Sequence, residues 1–446
     1  MSPLPLVAIL AATPITLQQV RELSRRNTPA LLAELTRQNA AEQVRISRAA
    51  ILPQLSLSAD VSRSAASSTR RINFLPTTNP DTGAREFVGI VADTPPLTQR
   101  NFNMTVTIQQ LLFDGGRWWN QIAQSGAQEE AAAGQFLEQQ MTSELEGVRR
   151  FYALYGAQRA LDVLLSTVQR SKELLDRANA LYEAGRLSKS DAIQAQVNLG
   201  NDRIAATRQR SVIAGAQSDL AVWIAHPGAE DLVAQDPGTM TGAPAPAPVL
   251  ENATRSALER RPLMRALANQ VRAAEYGAAV AKAGFWPRLS ASANYVRSGN
   301  TVDPVFTDPS LNNAYSIGLS LRWDLFSGFS TTAQVSQAQY SKFSADLNLA
   351  DAQRTLEGDL RRNVRGVEIQ LETSQIALEN RDASAAGLSL AEERYRAGVA
   401  STLEVRDAEL KRTQAELSLL QARIDLEMAR EALARTMGGI PQEGRQ

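Results

Sequence analysis

The clearest candidates for acid–base chemistry in this 446-residue chain are its single histidine, His226, and an acidic pair one helical turn apart, Glu404 and Asp407. His226 stands directly before Pro227, and a residue before proline is pushed out of the helical region, so it reads as a turn residue. The chain has no cysteine, which removes disulfides, thiolate metal sites and a cysteine nucleophile. A general acid/base pair needs a pocket and converging polar groups, and nothing around Glu404 and Asp407 in the sequence supplies them. An enzyme, a metal site and a cofactor are therefore not expected. Nucleic acid is not expected either, because 47 Lys plus Arg balance 47 Asp plus Glu and backbone tracking needs a basic surplus or face.

Proline placement divides the chain that carries these residues. Two windows of near-equal length, Leu97–His226 and Ser310–Ile440, hold no proline and are rich in Ala, Leu, Gln, Glu and Arg. Proline breaks helix interiors, so these windows predict long uninterrupted helices. Between them runs the proline-rich DPGTMTGAPAPAPVL.

The two halves repeat each other. LLFDGG pairs with DLFSGF at an offset of 213 (325 − 112), and the same offset pairs ALYEAGRLSKSD with ERYRAGVASTLE: Tyr182 with Tyr395, Gly185 with Gly398, Asp191 with Glu404. One offset held from Leu112 to Asp191 means that the intervening helices have equal length, and marked positions in fixed order indicate duplication. Upstream, Pro53 pairs with Pro287 at an offset of 234 (287 − 53), so the first half carries 21 extra residues (234 − 213) between Pro53 and Leu112. They are assigned to a polar loop between Ser64 and Arg100.

Four segments alternate apolar and polar side chains with period two, the pattern of strands with one apolar and one wet face. They start at Leu55, Phe102, Leu289 and Ile317. Their polar partners are mostly Ser, Thr and Asn, which suits a barrel lumen with the apolar row facing lipid, although a soluble sandwich would show the same alternation. Phe113, Phe285, Trp286, Trp323 and Phe326 fall at strand ends, where membrane-interface aromatics would sit. A helix from Gly116 to Leu181 would be roughly 100 Å long at about 1.5 Å per residue. Leu403, Leu410, Leu417 and Ile424 recur every seven residues, as do Leu419, Leu426 and Leu433, the mark of coiled-coil packing. Four strands cannot close a barrel; two chains would give eight and three would give twelve, and small polar lumen residues favour the larger, channel-forming closure. A trimer is predicted.

The predicted organisation is a signal or processed segment at 1–14, marked by the apolar run Leu6–Ala12, and a first repeat at 15–240. That repeat has strands at 54–63 and 101–112, helices over 116–222 and a tip at 182–191. A linker at 241–249 leads to a second repeat at 250–440, with strands at 288–297 and 315–325, helices over 329–437 and a tip at 395–404. A tail at 441–446 closes the chain.

Taken together, the paired LxPxLSxS-like strand openings, the LFDGG and LFSGF turns and the duplicated YxAG tips resemble the TolC-like outer-membrane efflux proteins over nearly the whole chain, from Ile15 to about Ile440. The resemblance implies an α+β membrane protein. A long antiparallel coiled-coil tunnel joins a twelve-stranded outer-membrane barrel to which each of three chains gives four strands. The homotrimer would sit in outer-membrane lipid, extend into the periplasm, and dock a periplasmic adaptor (membrane fusion) protein and an inner-membrane pump or ABC transporter for efflux or type I secretion. The adaptor-docking tips map onto Tyr182, Ala184, Gly185, Leu187 and Ser188, and onto Tyr395, Ala397, Gly398, Val399 and Ser401. The constriction maps onto Glu404 and Asp407, and a closed-state latch onto Tyr395 with Asp191. The arginine that completes that latch, two residues after the second glycine, is Ala400 here. The competing reading is a non-membrane periplasmic coiled-coil scaffold, which has no need of lipid-facing rows.

Overall fold

The computed structural model describes residues 13–226, 232–238, 246, 248–307 and 312–439. Nearly all of the 1–14 segment, most of the 241–249 linker and the 441–446 tail lie outside the described residues. In chain order the elements of the first half are β1 (Thr13–Ile15), α1 (Leu17–Ser24), α2 (Thr28–Ala49), β2 (Gln54–Ala66), β3 (Thr69–Thr78), β4 (Arg85–Thr94), β5 (Leu97–Phe113), α3 (Arg117–Glu183) and α4 (Lys189–Trp223). β6 (Leu232–Ala234) ends the first half, and the second half holds α5 (Leu250–Arg260), α6 (Pro262–Lys282), β7 (Arg288–Gly299), α7 (Asp303–Phe306), β8 (Asn313–Arg322), α8 (Ser330–Arg396) and α9 (Thr402–Thr436). The duplication is kept to the residue in the long helices. α3 and α8 have 67 residues each and α4 and α9 have 35, with every boundary 213 residues apart (330 − 117, 436 − 223).

The chain forms two compact units, each drawing on both repeats. Gln43–Ser125 and Ala274–Ser341 make the unit built around the strands. Its four-stranded antiparallel sheet has the order β2-β5-β7-β8, so β2 and β8 are edges paired on one side only. Register keeps the alternation in phase across all four strands: Leu55 faces Ile108, which faces Ala293, which faces Ile317. One residue along, Ser56, Thr107, Asn294 and Ser316 line up on the other face. On that polar face Thr107 Oγ1 donates to Asn294 Oδ1 at 2.9 Å and Asn294 Nδ2 donates to Ser316 Oγ at 3.5 Å. The apolar face is bare: Leu55, Leu57, Ile317, Leu319 and Leu321 are 66–85% exposed. A one-residue slip would exchange the two faces, so the register itself preserves one apolar and one polar surface.

The stretch assigned to a polar loop is not a loop. β3 and β4 pair antiparallel over ten positions, from Thr69 with Thr94 to Thr78 with Arg85, as a separate two-stranded sheet. A bidentate Arg70–Asp93 pair (2.8 and 3.0 Å) and the turn in which Asn79 Oδ1 accepts from Asp81 N–H (3.0 Å) hold its two ends. Ile72, Asn73, Phe74, Leu75 and Pro76 do not alternate, which hid the strand from a period-two reading.

The other unit takes in the chain up to Glu42, Gly126–Ala273 and Lys342 onward. Its largest core gathers Val148, Phe151, Tyr152, Leu154 and Tyr155 of α3 with Leu220, Ala221 and Ile224 at the end of α4 and Ile424 of α9. The parallel pair β1–β6 seals it through Ile15, Leu232 and Ala234. A second core joins Ala253 and Ala257 of α5 and Met264 of α6 to Leu356, Leu360, Val364 and Val367 of α8 and to Leu426 and Leu433 of α9. α9 thus uses one of its heptad rows inside the chain, Leu419, Leu426 and Leu433, all under 10% exposed. The other row turns outward at its start, where Leu403 is 74% and Leu410 49% exposed.

Candidate functional site: tip turns and gate

Both tips reverse the chain by one mechanism. After α3, Gly185 N–H donates to Tyr182 O (2.9 Å) and Arg186 N–H to Leu181 O (2.8 Å); after α8, Gly398 N–H donates to Tyr395 O (3.0 Å) and Val399 N–H to Arg394 O (3.0 Å). These paired bonds satisfy the last helical carbonyls and require a left-handed residue, and Gly185 and Gly398 supply it at φ 72° and 78°. The chain then re-enters a helix through a serine cap. Ser188 Oγ accepts from Asp191 N–H and Ser401 Oγ from Glu404 N–H, both at 3.2 Å. Tyr182, Ala184, Gly185 and Ser188 of the first tip, and Ala397, Gly398, Val399 and Ser401 of the second, are exposed; Leu187 is half-buried.

The acidic residues sit at the starts of the returning helices and each has a partner. Glu404 pairs with Arg394 Nε across the turn at 3.1 Å, and Asp407 with Lys411 Nζ one turn on at 2.7 Å. Both pairs are solvent-exposed. Asp191 is engaged locally, accepting the Ser188 hydroxyl at 2.7 Å. Tyr395 packs against the small cluster of Leu388, Ala391 and Val405, and its hydroxyl is buried without a hydrogen-bond partner among the described residues. Burial raises its pKa, with the charge of Arg177 opposing and that of Asp191 adding. The Tyr395–Asp191 hydrogen bond expected of a latch is therefore not formed in the single chain.

A buried polar cluster that the sequence reading missed lies beside Glu404 and Asp407 in the first turns of α9. Arg406 of α9 grips Asp202 of α4 with two parallel bonds, Nη1 to Oδ2 at 2.7 Å and Nη2 to Oδ1 at 2.8 Å. Nη1 also donates to Glu409 Oε2 (3.1 Å) and Ser171 Oγ (3.2 Å). The Ser171 hydroxyl in turn donates to Asp202. Arg170 Nε stands 3.6 Å from Glu409 Oε1, and Thr167 and Thr413 join hydroxyls at 2.8 Å. Burial lowers the Arg406 pKa, but the bonds to Asp202 and the charges of Asp202 and Glu409 outweigh it and leave it raised. For Glu409 burial dominates over Arg406 and Arg170, and its pKa is raised. The available signal was that Arg406, Thr413, Leu420 and Glu427 share one heptad row, in which three polar residues replace core leucines.

At the sheet, the aromatic residues gather near the strand ends. Phe113 ends β5 opposite Leu289, and Trp323 Nε1 donates to Phe285 O at 3.1 Å. Trp286 lies against Gly115, where an added Cβ would come within 2.5 Å of the Trp286 Cβ. Phe113, Phe285, Trp286, Trp323 and Phe326 are all exposed. Asp114, buried beside them, caps α3 by accepting from Trp118 N–H at 3.1 Å.

The profile of the outer membrane efflux protein family matches residues 20–224 and 253–439. The chain belongs to that family. Outer membrane efflux protein BepC of Brucella suis biovar 1 is 24% identical over 77% of this chain and 74% of its own. The toluene efflux pump outer membrane protein TtgC of Pseudomonas putida is 24% identical over 66% of this chain, which spans 60% of that relative. In fold, the Campylobacter jejuni CmeC outer membrane channel superposes with a TM-score of 0.77 at 17% identity, covering 96% of this chain and 87% of that one. This outer membrane efflux protein is thus an exit duct of the outer membrane that extends into the periplasm, and its family is one of channels rather than enzymes.

Proposed function

We propose that three copies close their four-stranded sheets into one twelve-stranded barrel in outer-membrane lipid and their helices into one tunnel. The two tips of each chain dock a periplasmic adaptor, through which an inner-membrane pump delivers cargo. Glu404 and Asp407 of the three copies form the constriction, and the duct itself performs no chemistry. The observation that carries this reading is the sheet with two unpaired edges, one bare apolar face and one polar face. In lipid a sheet edge must be closed, and a row of exposed Leu and Ile is stable only against hydrocarbon or another protein. The outward row of α9, Leu403 and Leu410, and a matching row on α8, Ile369, Ile376 and Leu390, leave apolar seams for neighbouring copies. The cargo is a small organic molecule, in keeping with the toluene efflux for which the relative TtgC is named.

Native mass spectrometry of protein extracted by detergent from the outer-membrane fraction tests the assembly. Three copies of 48.4 kDa are expected. A stable monomer, or protein that stays soluble without detergent, would overturn it.

A further inference from the structure

We propose that Arg63 and Arg100 form a clamp for the phosphate of an outer-leaflet lipid headgroup, one clamp per chain on the lipid-facing side of the sheet. The proposal rests on the reading of the sheet's apolar row as the face that lies in lipid. Arg63 and Arg100 stand directly opposite each other in the β2–β5 ladder, where cross-strand Cβ atoms are about 4.5–5.5 Å apart. Counted in steps of two from the Leu55–Ile108 pair, they fall on the apolar face, next after Val61 and Phe102. Both are exposed, and neither has an ion-pair partner among the described residues.

Like charges directly opposite in a ladder repel, and the same hairpin answers an arginine differently elsewhere. Seven positions farther along, Arg70 is opposed by Asp93 and holds it with two bonds at 2.8 and 3.0 Å. Around Arg63 and Arg100 the chain offers no acid: there is no Asp or Glu from Val61 to Thr69 or from Thr94 to Phe102. Two guanidinium groups without a counter-anion of their own fit an anion from outside, and arginine's planar fork matches phosphate oxygens. Depth along the strand says where that anion comes from. About 9–11 residues of tilted strand cross the hydrocarbon, and β5 runs twelve residues (113 − 102 + 1) from Phe113, in the aromatic cluster, to Phe102. Arg100 is the next residue on the apolar face, so it falls where hydrocarbon gives way to headgroups. The Phe113 end leads into the helix α3, which makes the Arg100 end the outer one. Beyond Phe102, β5 pairs with β2 alone, leaving the far side of Arg100 open. Val61, 69% exposed just below Arg63, offers apolar contact to an acyl chain, which favours a lipid phosphate over a free one.

The test is native mass spectrometry of the detergent-solubilised full chain titrated with dioleoyl phosphatidic acid and with dioleoylglycerol, the same lipid without its phosphate. The wild type should retain phosphatidic acid in preference to dioleoylglycerol. Arg63→Gln with Arg100→Gln should weaken phosphatidic acid at least about tenfold and leave dioleoylglycerol unchanged. The β3–β4 ladder keeps the β2–β5 register (54 + 109 = 78 + 85), so Arg71 lies farther out on the same face; Arg71→Gln is the control and should change neither. If the double variant does not insert, Arg100→Gln alone carries the test, with a smaller loss in the same direction. Glycerol 3-phosphate at equal concentration should not displace the lipid; displacement would overturn the lipid as occupant. Phosphatidic acid held equally by wild type and variants, or lost equally with Arg71→Gln, overturns the clamp. The two readings fail separately. Detergent-bound trimers whose phosphatidic acid ignores both arginines sink the clamp and keep the barrel. A detergent-free monomer that still binds phosphatidic acid through them sinks the barrel.

Discussion

Gly115, Gly185 and Gly398 have nearly the same backbone, with φ of 71°, 72° and 78°, but different surroundings. An alanine at any of them carries the left-handed penalty of about 1–2 kcal/mol. At Gly185 and Gly398 no atom lies within 4 Å of the new Cβ, so that penalty is the whole cost. At Gly115 the Cβ would sit 2.5 Å from Trp286 Cβ, 3.0 Å from its Cγ and 3.1 Å from Ala283 O. Carbon pairs prefer about 3.5–4.0 Å, and a Cβ is fixed to its backbone, so the turn and the start of β7 must separate. Overpacking of this kind adds about 1–3 kcal/mol, for a total of about 2–5 kcal/mol at Gly115. Thermal unfolding of the detergent-solubilised protein, followed by tryptophan fluorescence for the sheet and circular dichroism for the helices, should rank Gly115→Ala well below the two tip variants. Surface binding of the adaptor should show the opposite ranking, weakened by Gly185→Ala and Gly398→Ala and spared by any Gly115→Ala protein that assembles. Equal melting temperatures for all three would refute the steric argument. Wild-type adaptor binding by both tip variants would refute the docking assignment.

Glu404→Gln with Asp407→Asn should abolish cation selectivity and block by multivalent cations in planar bilayers, whereas Lys411→Gln, which frees Asp407 from its 2.7 Å partner, should raise selectivity above wild type. Unchanged reversal potentials in both would reduce the pair to solvated surface charges. Replacing Thr69–Thr94 by an Asn-Gly turn removes the β3–β4 hairpin but leaves all thirteen β2–β5 pairs, so membrane insertion and conductance should persist; loss of assembly would make the hairpin part of the interface. Burial raises the Glu409 pKa against the pull of Arg406 and Arg170, with Asp202 adding to the rise. A carboxyl raised on folding stabilises below its unfolded pKa, about 4.3, and that contribution is lost as pH rises through the folded value. The melting temperature of the wild type minus that of Glu409→Gln should therefore fall as pH rises from that range towards neutrality, and a difference flat with pH would exclude the effect.

Legibility followed the range of each interaction. The β2, β5, β7 and β8 segments were visible because alternation is written in adjacent residues, and equal helix lengths were visible because the 213 offset counts them. Both heptad rows of α9 were visible too, but not that Leu426 faces inward and Leu403 outward, since either row satisfies the same period. The Asp407–Lys411 pair lies at i,i+4 and could have been read. Glu404–Arg394 could not, because it depends on how the Gly398 turn folds back. Arg406 with Asp202 spans 204 positions on helices that no local pattern brings together.

The duplication also shows how one position can carry two roles. Asp191 and Glu404 are 213 apart and each donates its backbone N–H to the serine that caps its helix. Aspartate, one methylene shorter, is held by its own cap, with the Ser188 hydroxyl at 2.7 Å. Glutamate reaches past the cap to Arg394. The acid is therefore committed to local structure in the first tip and tied to the preceding helix in the second, and only the second tip continues into Arg406. In a trimer, six tips of similar backbone would alternate between these two chemistries. The closed end would then have threefold rather than sixfold electrostatics, and a partner reading charge would distinguish tips that a partner reading shape alone would not.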